Sequence, residues 1–106
     1  AMFVILLRFS GEKDRAAELM GGHNAWLARG FADGVFLLAG SLQPKLGGAI
    51  LAHATTLPEL QARVSEDPFV AERIVEAEIL SITPGKADER LAFLLGGGAA
   101  AGIANR

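Results

Sequence analysis

The chain lacks cysteine altogether, and it has only two histidines and one tryptophan in 106 residues. The absence of cysteine excludes disulfide bonds, thiolate metal sites and thiol nucleophiles, and it fits a cytoplasmic location. A charge excess of one sign is lacking too, since the formal net charge is −2 and no run of Lys or Arg occurs. We therefore expect no nucleic-acid partner.

A long hydrophobic run at the start is also missing. The N-terminal run Phe3–Leu7 ends at Arg8, is far shorter than a membrane span and has no basic leader before it. It predicts a strand rather than a signal sequence, and we expect no membrane association. Hydrophobic residues still make up 51% of the chain, which is enough for the packed core of one domain.

The first predicted strand, Met2–Phe9, is apolar on both faces. Alternation places Val4 and Leu6 on one face and a second apolar set on the other: Phe3, Ile5, Leu7 and Phe9. A strand of this kind is usually covered on both sides. In so short a chain, its own helices would cover one side and a second subunit the other.

The remaining elements follow from turn and capping signals. Gly34 suits the left-handed position that ends many helices, and Thr56–Glu59 has the form of a capping box. The predicted elements after the first strand are a helix over 12–33, strands over 35–39 and 49–54, a helix from 56 to about 66, a short helical piece over 69–73 and a strand over 75–83.

This β-α-β-β-α-β order predicts an α+β, ferredoxin-like sandwich: a four-stranded antiparallel sheet with both helices on one face. The uncovered apolar face predicts a homodimer formed sheet against sheet. We assign residues 2–84 to this domain and residues 85–106 to a weakly helical C-terminal arm, over 86–95, and a mobile Gly/Ala-rich tail.

His23 is the first candidate for chemistry. In a helix, Leu19, Met20, Trp26 and Leu27 lie three or four residues away on the same face, so the imidazole points towards the interior. An inward neutral imidazole can be a hydrogen-bonded core residue or a general base. The preceding Gly21-Gly22 either breaks the helix or gives clearance beside the ring.

Asp67 is the natural partner of His23. As the residue before Pro68 it is a good helix N-cap, which alone would explain its presence. A carboxylate has enough lone pairs to cap a helix and also to hold an imidazole N–H. The two residues would then form a base and its orienting group, provided that the fold brings them together.

Four other residues are candidates for contacts with a small-molecule ligand. Arg8 could anchor an anionic group or pair with an acid, and Ser41 could donate a hydrogen bond or serve a turn. Trp26 and Phe69 are expected in the core or in the wall of a pocket. His53 has no acid at a ligand-like spacing, so we expect no metal site.

These features in this order resemble the YciI-like (YCII-related) family of small α+β dimers. The resemblance rests on the Met2–Phe9 strand, the His23-Asn24-Ala25-Trp26-Leu27 helix, Gly34, Ala39-Gly40-Ser41, the Gly47-Gly48 hairpin and Asp67-Pro68-Phe69-Val70, and it covers roughly residues 2 to 84. The chain departs from the family in having Ser41 where many members have proline, and in its apolar C-terminal arm.

The resemblance implies a dimeric α+β barrel, related in shape to muconolactone isomerases, with His23 and Asp67 as the active-site pair. One branch of the family removes chloride from chlorinated hydroxyhydroquinones. Our main hypothesis is therefore an enzyme of lyase or isomerase type, without a cofactor, that transfers a proton on a small cyclic or aromatic polar substrate. The alternative is a non-catalytic ligand-binding or dimerisation module in which the His–Asp pair is structural.

Overall fold

A computed structural model describes residues 1–11 and 13–96. Its sheet contains β1 (Met2–Phe9), β2 (Phe36–Leu42), β3 (Gly47–His53) and β4 (Val75–Ile82). The helices are α1 (Ala16–Ala32), α2 (Leu57–Ser65) and α3 (Pro68–Ala71), with 3₁₀ turns at Lys13–Arg15 and Glu89–Leu95.

The four strands form one antiparallel sheet in the order β2-β3-β1-β4. The two central strands are β1 and β3, and Ile5 lies directly between Ile50 of β3 and Ile79 of β4. This order and the packing of the helices on the sheet confirm the predicted α+β, ferredoxin-like fold. The sheet is open and does not close into a barrel within one chain.

The two faces of β1 differ in burial as its alternation predicts. Phe3, Ile5 and Leu7 are buried beneath the helices, whereas Val4 and Leu6 are only half-buried on the opposite face. The helix-covered core continues with Trp26 of α1, Leu60 of α2 and residues from β3, α3 and the start of β4: Ile50, Ala52, Phe69, Ile74 and Val75. The opposite face, here called the open face, has none of the α-helices packed on it in the described chain, although Phe93 of the C-terminal 3₁₀ segment contacts it at His53.

Helix α1 runs through Gly21 and Gly22 without a break. A Cβ on Gly22 would come within 3.1 Å of Cγ of Pro68, so this glycine lets α1 approach the start of α3 closely. The expected clearance is therefore found at Gly22, where it admits α3, but not at Gly21, where a Cβ would meet nothing within 4 Å. Gly34 has φ of +76° just after the helix, a left-handed backbone that glycine adopts at little cost.

Element boundaries differ from expectation by a few residues. The first helix begins at Ala16 after a 3₁₀ turn, and its expected start at Glu12 lies outside the described residues. Strand β2 extends to Leu42, because Gly40 and Ser41 pair with Ala49 and Gly48 of β3 instead of leaving the sheet. Thr56 and Glu59 form the predicted capping box, with hydrogen bonds of 3.2 and 3.3 Å.

The C-terminal arm forms a 3₁₀ segment over Glu89–Leu95, where a helix was expected. Asp88 caps it, and hydrogen bonds from Arg90 hold the pKa of the Asp88 carboxyl below its ordinary value. The ring of Phe93 meets the ring of His53 edge to face, 5.5 Å apart. The predicted mobile tail, apart from Gly96, lies outside the described residues.

Candidate functional site

The site is assembled where α1 passes the N-terminus of α3. Asp67 precedes Pro68, has an extended backbone and accepts a hydrogen bond from the backbone N–H of Phe69 at 3.1 Å. The local sequence therefore produces an N-cap, as predicted. The capping carboxylate is completely buried and faces α1, because the small Gly22 allows the two helices to touch.

His23 and Asp67 form a hydrogen bond of 2.8 Å between Nδ1 and Oδ1. The side chain of His23 is 13% exposed and that of Asp67 is fully buried. An ionised carboxylate can only accept, so Nδ1–H is the donor and Nε2 is the nitrogen left for a ligand. The predicted pairing is present, with the geometry that a base and its orienting group require.

Aromatic rings fix the plane of the imidazole. The Phe69 ring stacks on His23 with centroids 4.2 Å apart and planes within 4°. Trp26 lies further back, 5.9 Å from His23, and its indole N–H donates to the Arg63 carbonyl. With one nitrogen bonded to Asp67 and one face covered by Phe69, the ring of His23 has little freedom to rotate.

A cavity of about 290 Å³ adjoins His23 between α1 and the sheet. Its wall is mainly apolar, and polar side chains come from His23, Asn24 and Ser41. The other lining residues come from β1, α1, the β2–β3 hairpin, α3 and the start of β4: Leu7, Phe9, Met20, Leu27, Ala39, Gly40, Gly47, Gly48, Ala49, Ile50, Phe69 and Val75. Such a wall and size suit a small ring-shaped molecule.

The sequence-predicted ligand contacts divide into two groups. Ser41 and Phe69 line the cavity with His23. Trp26 is 1% exposed and does not line it, so this residue supports the site from the core.

The structure does not bring Arg8 to the cavity, contrary to the expected anchoring role. Its guanidinium lies on the open face and donates to Glu78 at 2.8 Å, which was the other role considered for it. Arg8 shares the strand face of Val4 and Leu6, and the helices cover the other face of the sheet. The side chain therefore points away from His23.

Sequence reasoning missed Asn24 and Met20 as cavity residues. In the sequence, Met20 belongs to the apolar face of α1, and Asn24 is the residue that follows His23. Met20 could have been predicted as a cavity residue, because it lies three residues before His23 and the two side chains therefore share one helix face. No comparable signal marked Asn24, whose place at the cavity depends on where the sheet lies.

Metal-binding clusters and membrane-spanning helices are both absent from the described residues. Over 1–11 and 13–96, no cluster of three or more His, Cys, Asp or Glu side chains could hold a metal ion. No helix in the same ranges is both long and apolar enough to cross a membrane.

The fold and site define a small ferredoxin-like protein with a buried His–Asp pair beside an apolar cavity. The family model of the YCII-related domain matches residues 1–83, and the chain belongs to that family. No curated protein matches the chain.

Among solved structures, the chain is similar to 5-chloro-2-hydroxyhydroquinone dehydrochlorinase from Burkholderia phenoliruptrix AC1100, in complex with 2,5-dihydroxybenzoquinone. The TM-score is 0.68 at 17% identity, over 80% of this chain and 96% of the other. At that identity the likeness establishes the shared fold.

Proposed function

We propose that this protein is an enzyme of lyase or isomerase type that uses His23 as an acid–base group on a small cyclic or aromatic polar substrate. The observation that carries the proposal is the 2.8 Å bond between His23 and the buried Asp67, at the edge of a cavity of about 290 Å³. A proton-transfer group near neutral pH needs a positioned imidazole that a ligand can reach.

The roles of the two residues follow from their contacts. Nε2 of His23 takes a proton from a hydroxyl or carbon of the substrate, and the resulting imidazolium is stabilised by the Asp67 carboxylate. The imidazolium then returns the proton to another atom of the substrate or to a departing group. Ser41 contacts the substrate from β2, and Phe69 contacts it from α3.

The name of the structural neighbour supports this class of reaction. A dehydrochlorinase removes hydrogen and chloride from its substrate, and its complex contains a hydroxylated quinone. Loss of chloride with its bonding electrons is helped by a base that removes a proton from the same molecule. We therefore propose hydroxylated single-ring compounds as the first substrates to test.

The experiment measures chloride release from 5-chloro-2-hydroxyhydroquinone, and exchange of ring hydrogens with solvent deuterium in related hydroxyhydroquinones, with wild type and His23→Ala. Removal of a general base lowers the rate by roughly 10²–10⁴-fold, and we expect a loss in that range. His53→Ala is the matched control, because His53 contacts Phe93 and lies outside the cavity. Binding of these compounds without any turnover would favour the alternative, a ligand-binding module.

We also propose that the protein is a homodimer through its open face. One row across this face is apolar in all four strands: Leu80, Val4, Leu51 and Leu38. Leu38 and Leu80 remain 56% and 43% exposed in the single chain. Contiguous apolar surface of this kind on a small domain marks an interaction site.

A further inference from the structure

The cavity wall carries no fixed charge within the described chain. Its polar side chains are an imidazole, an amide and a hydroxyl, from His23, Asn24 and Ser41, and every other lining residue is apolar or glycine. A carboxylate or phosphate usually binds where Arg or Lys replaces the water that it loses. No Arg or Lys among the described residues lines this wall.

The charge behind His23 also disfavours anions. Asp67 lies directly behind His23 and is fully buried, so the first charge that a ligand at Nε2 meets is negative. If His23 takes up a proton, that charge is balanced by Asp67 and the pair has no net positive charge. An anion entering the cavity would lose its hydration without gaining a compensating partner.

Lys13 is a cation beside the outer rim. Its ammonium lies 5.2 Å from the centroid of the Phe9 ring and 3.5 Å from the carbonyl oxygen of Lys45. Phe9 lines the cavity, whereas Lys13 does not. The ammonium is thus held against the ring and the hairpin carbonyl, outside the wall that a ligand would contact.

We propose that the His23 cavity selects uncharged single-ring ligands over their anionic counterparts, and that a cation at position 20 of its wall would reverse this preference. Met20 lines the cavity from α1, one turn before His23, and is 42% exposed. Asn24 of α1 and Ser41 of β2 supply hydrogen-bonding groups from two sides of the ring. The inference rests on this cavity being the ligand site of the proposed function.

The test compares 4-hydroxybenzamide with 4-hydroxybenzoate, which have nearly the same shape and differ in charge. Dissociation constants are measured by calorimetry, and changes in the NMR chemical shifts of His23 show whether the ring binds beside it. We expect wild type to bind the amide at least about tenfold more tightly than the carboxylate, because the carboxylate loses hydration without a cationic partner.

Met20→Lys tests the specificity role of this position. A cation at the wall should raise the affinity for 4-hydroxybenzoate by about tenfold and leave that for the amide nearly unchanged. Lysine and methionine have similar helix propensities, so α1 is preserved. Ala32→Lys is the matched control: it adds the same charge to an exposed position of α1, 12 residues or about 18 Å further along the helix.

Three results would overturn the inference. Wild type could bind the carboxylate as tightly as the amide, or neither compound could bind at His23. Ala32→Lys could also raise the affinity for 4-hydroxybenzoate as much as Met20→Lys does. The last result would mean that net charge alone controls binding. If the amide is preferred as expected but no hydroxylated ring is turned over, the proposed reaction fails while the charge selectivity stands.

Discussion

At the residue scale, one carboxylate connects the fold to the site. Asp67 is the one charged side chain in the described chain that is fully buried, and its Oδ1 accepts from both the Phe69 N–H and His23. Its Oδ2 is buried and has no hydrogen-bond partner among the described residues. Burial of a charge with only part of its hydrogen bonds made is costly, and such a cost is typical of a functional position.

The two roles of Asp67 can be separated by two substitutions. Asp67→Ala should lower the free energy of unfolding by about 1–3 kcal/mol, because the N-cap and the partner of His23 are both lost. Asp67→Asn should lower the free energy of unfolding by less, since the amide oxygen of the new side chain still accepts from the Phe69 N–H. Urea denaturation measures both changes.

The control for these substitutions is Asp33→Ala. Asp33 pairs with Arg63 at 3.0 Å, but its side chain is 56% exposed, so its loss should cost less than about 1 kcal/mol. If Asp67→Ala costs no more than Asp33→Ala, the buried carboxylate does not hold the α1–α3 junction together.

At the element scale, the glycines of α1 determine how the helix packs. Gly30 lies against the ring of Phe36, which a Cβ at this position would overlap, whereas a Cβ on Gly21 would meet nothing within 4 Å. Gly22 is intermediate, because its added Cβ would press on Pro68. The same residue type thus has three different roles along one helix.

This difference predicts opposite signs for two chemically identical substitutions. Gly21→Ala should raise the free energy of unfolding by up to about 1 kcal/mol, because alanine has the higher helix propensity and the site is open. Gly30→Ala should lower it by about 1–3 kcal/mol through overpacking against Phe36. Urea or thermal unfolding checks both, and a stabilising Gly30→Ala would contradict the packing of α1 on β2.

At the scale of the whole molecule, the open face should join two copies of the chain. Leu80→Lys places a charge at the β4 end of the apolar row and should shift a dimer towards monomer. Leu57→Lys is the control, since Leu57 is similarly exposed, 41% against 43%, but begins α2 on the helical layer. Light scattering after size exclusion measures the mass, and a wild type that is monomeric at all concentrations would refute the dimer.

Sequence alone predicted the elements that depend on local chemistry. The Thr56–Glu59 capping box and the Asp67 N-cap were both predicted and are both present, because capping involves neighbouring residues in the chain. The alternation along β1 puts Arg8, two residues after Leu6, on the strand face of Val4 and Leu6. What alternation could not reveal is which face the helices cover, and for that reason Arg8 was wrongly considered for the ligand site.

Only the tertiary structure decided the composition of the site. His23 and Asp67 are distant in the chain, and their 2.8 Å contact forms where α1 passes the start of α3 beside Gly22. Asn24 and Met20 became cavity residues because α1 crosses the hairpin of β2 and β3 at that point. Local patterns determine what each segment prefers, whereas the cavity arises from the long-range packing of those segments on one sheet.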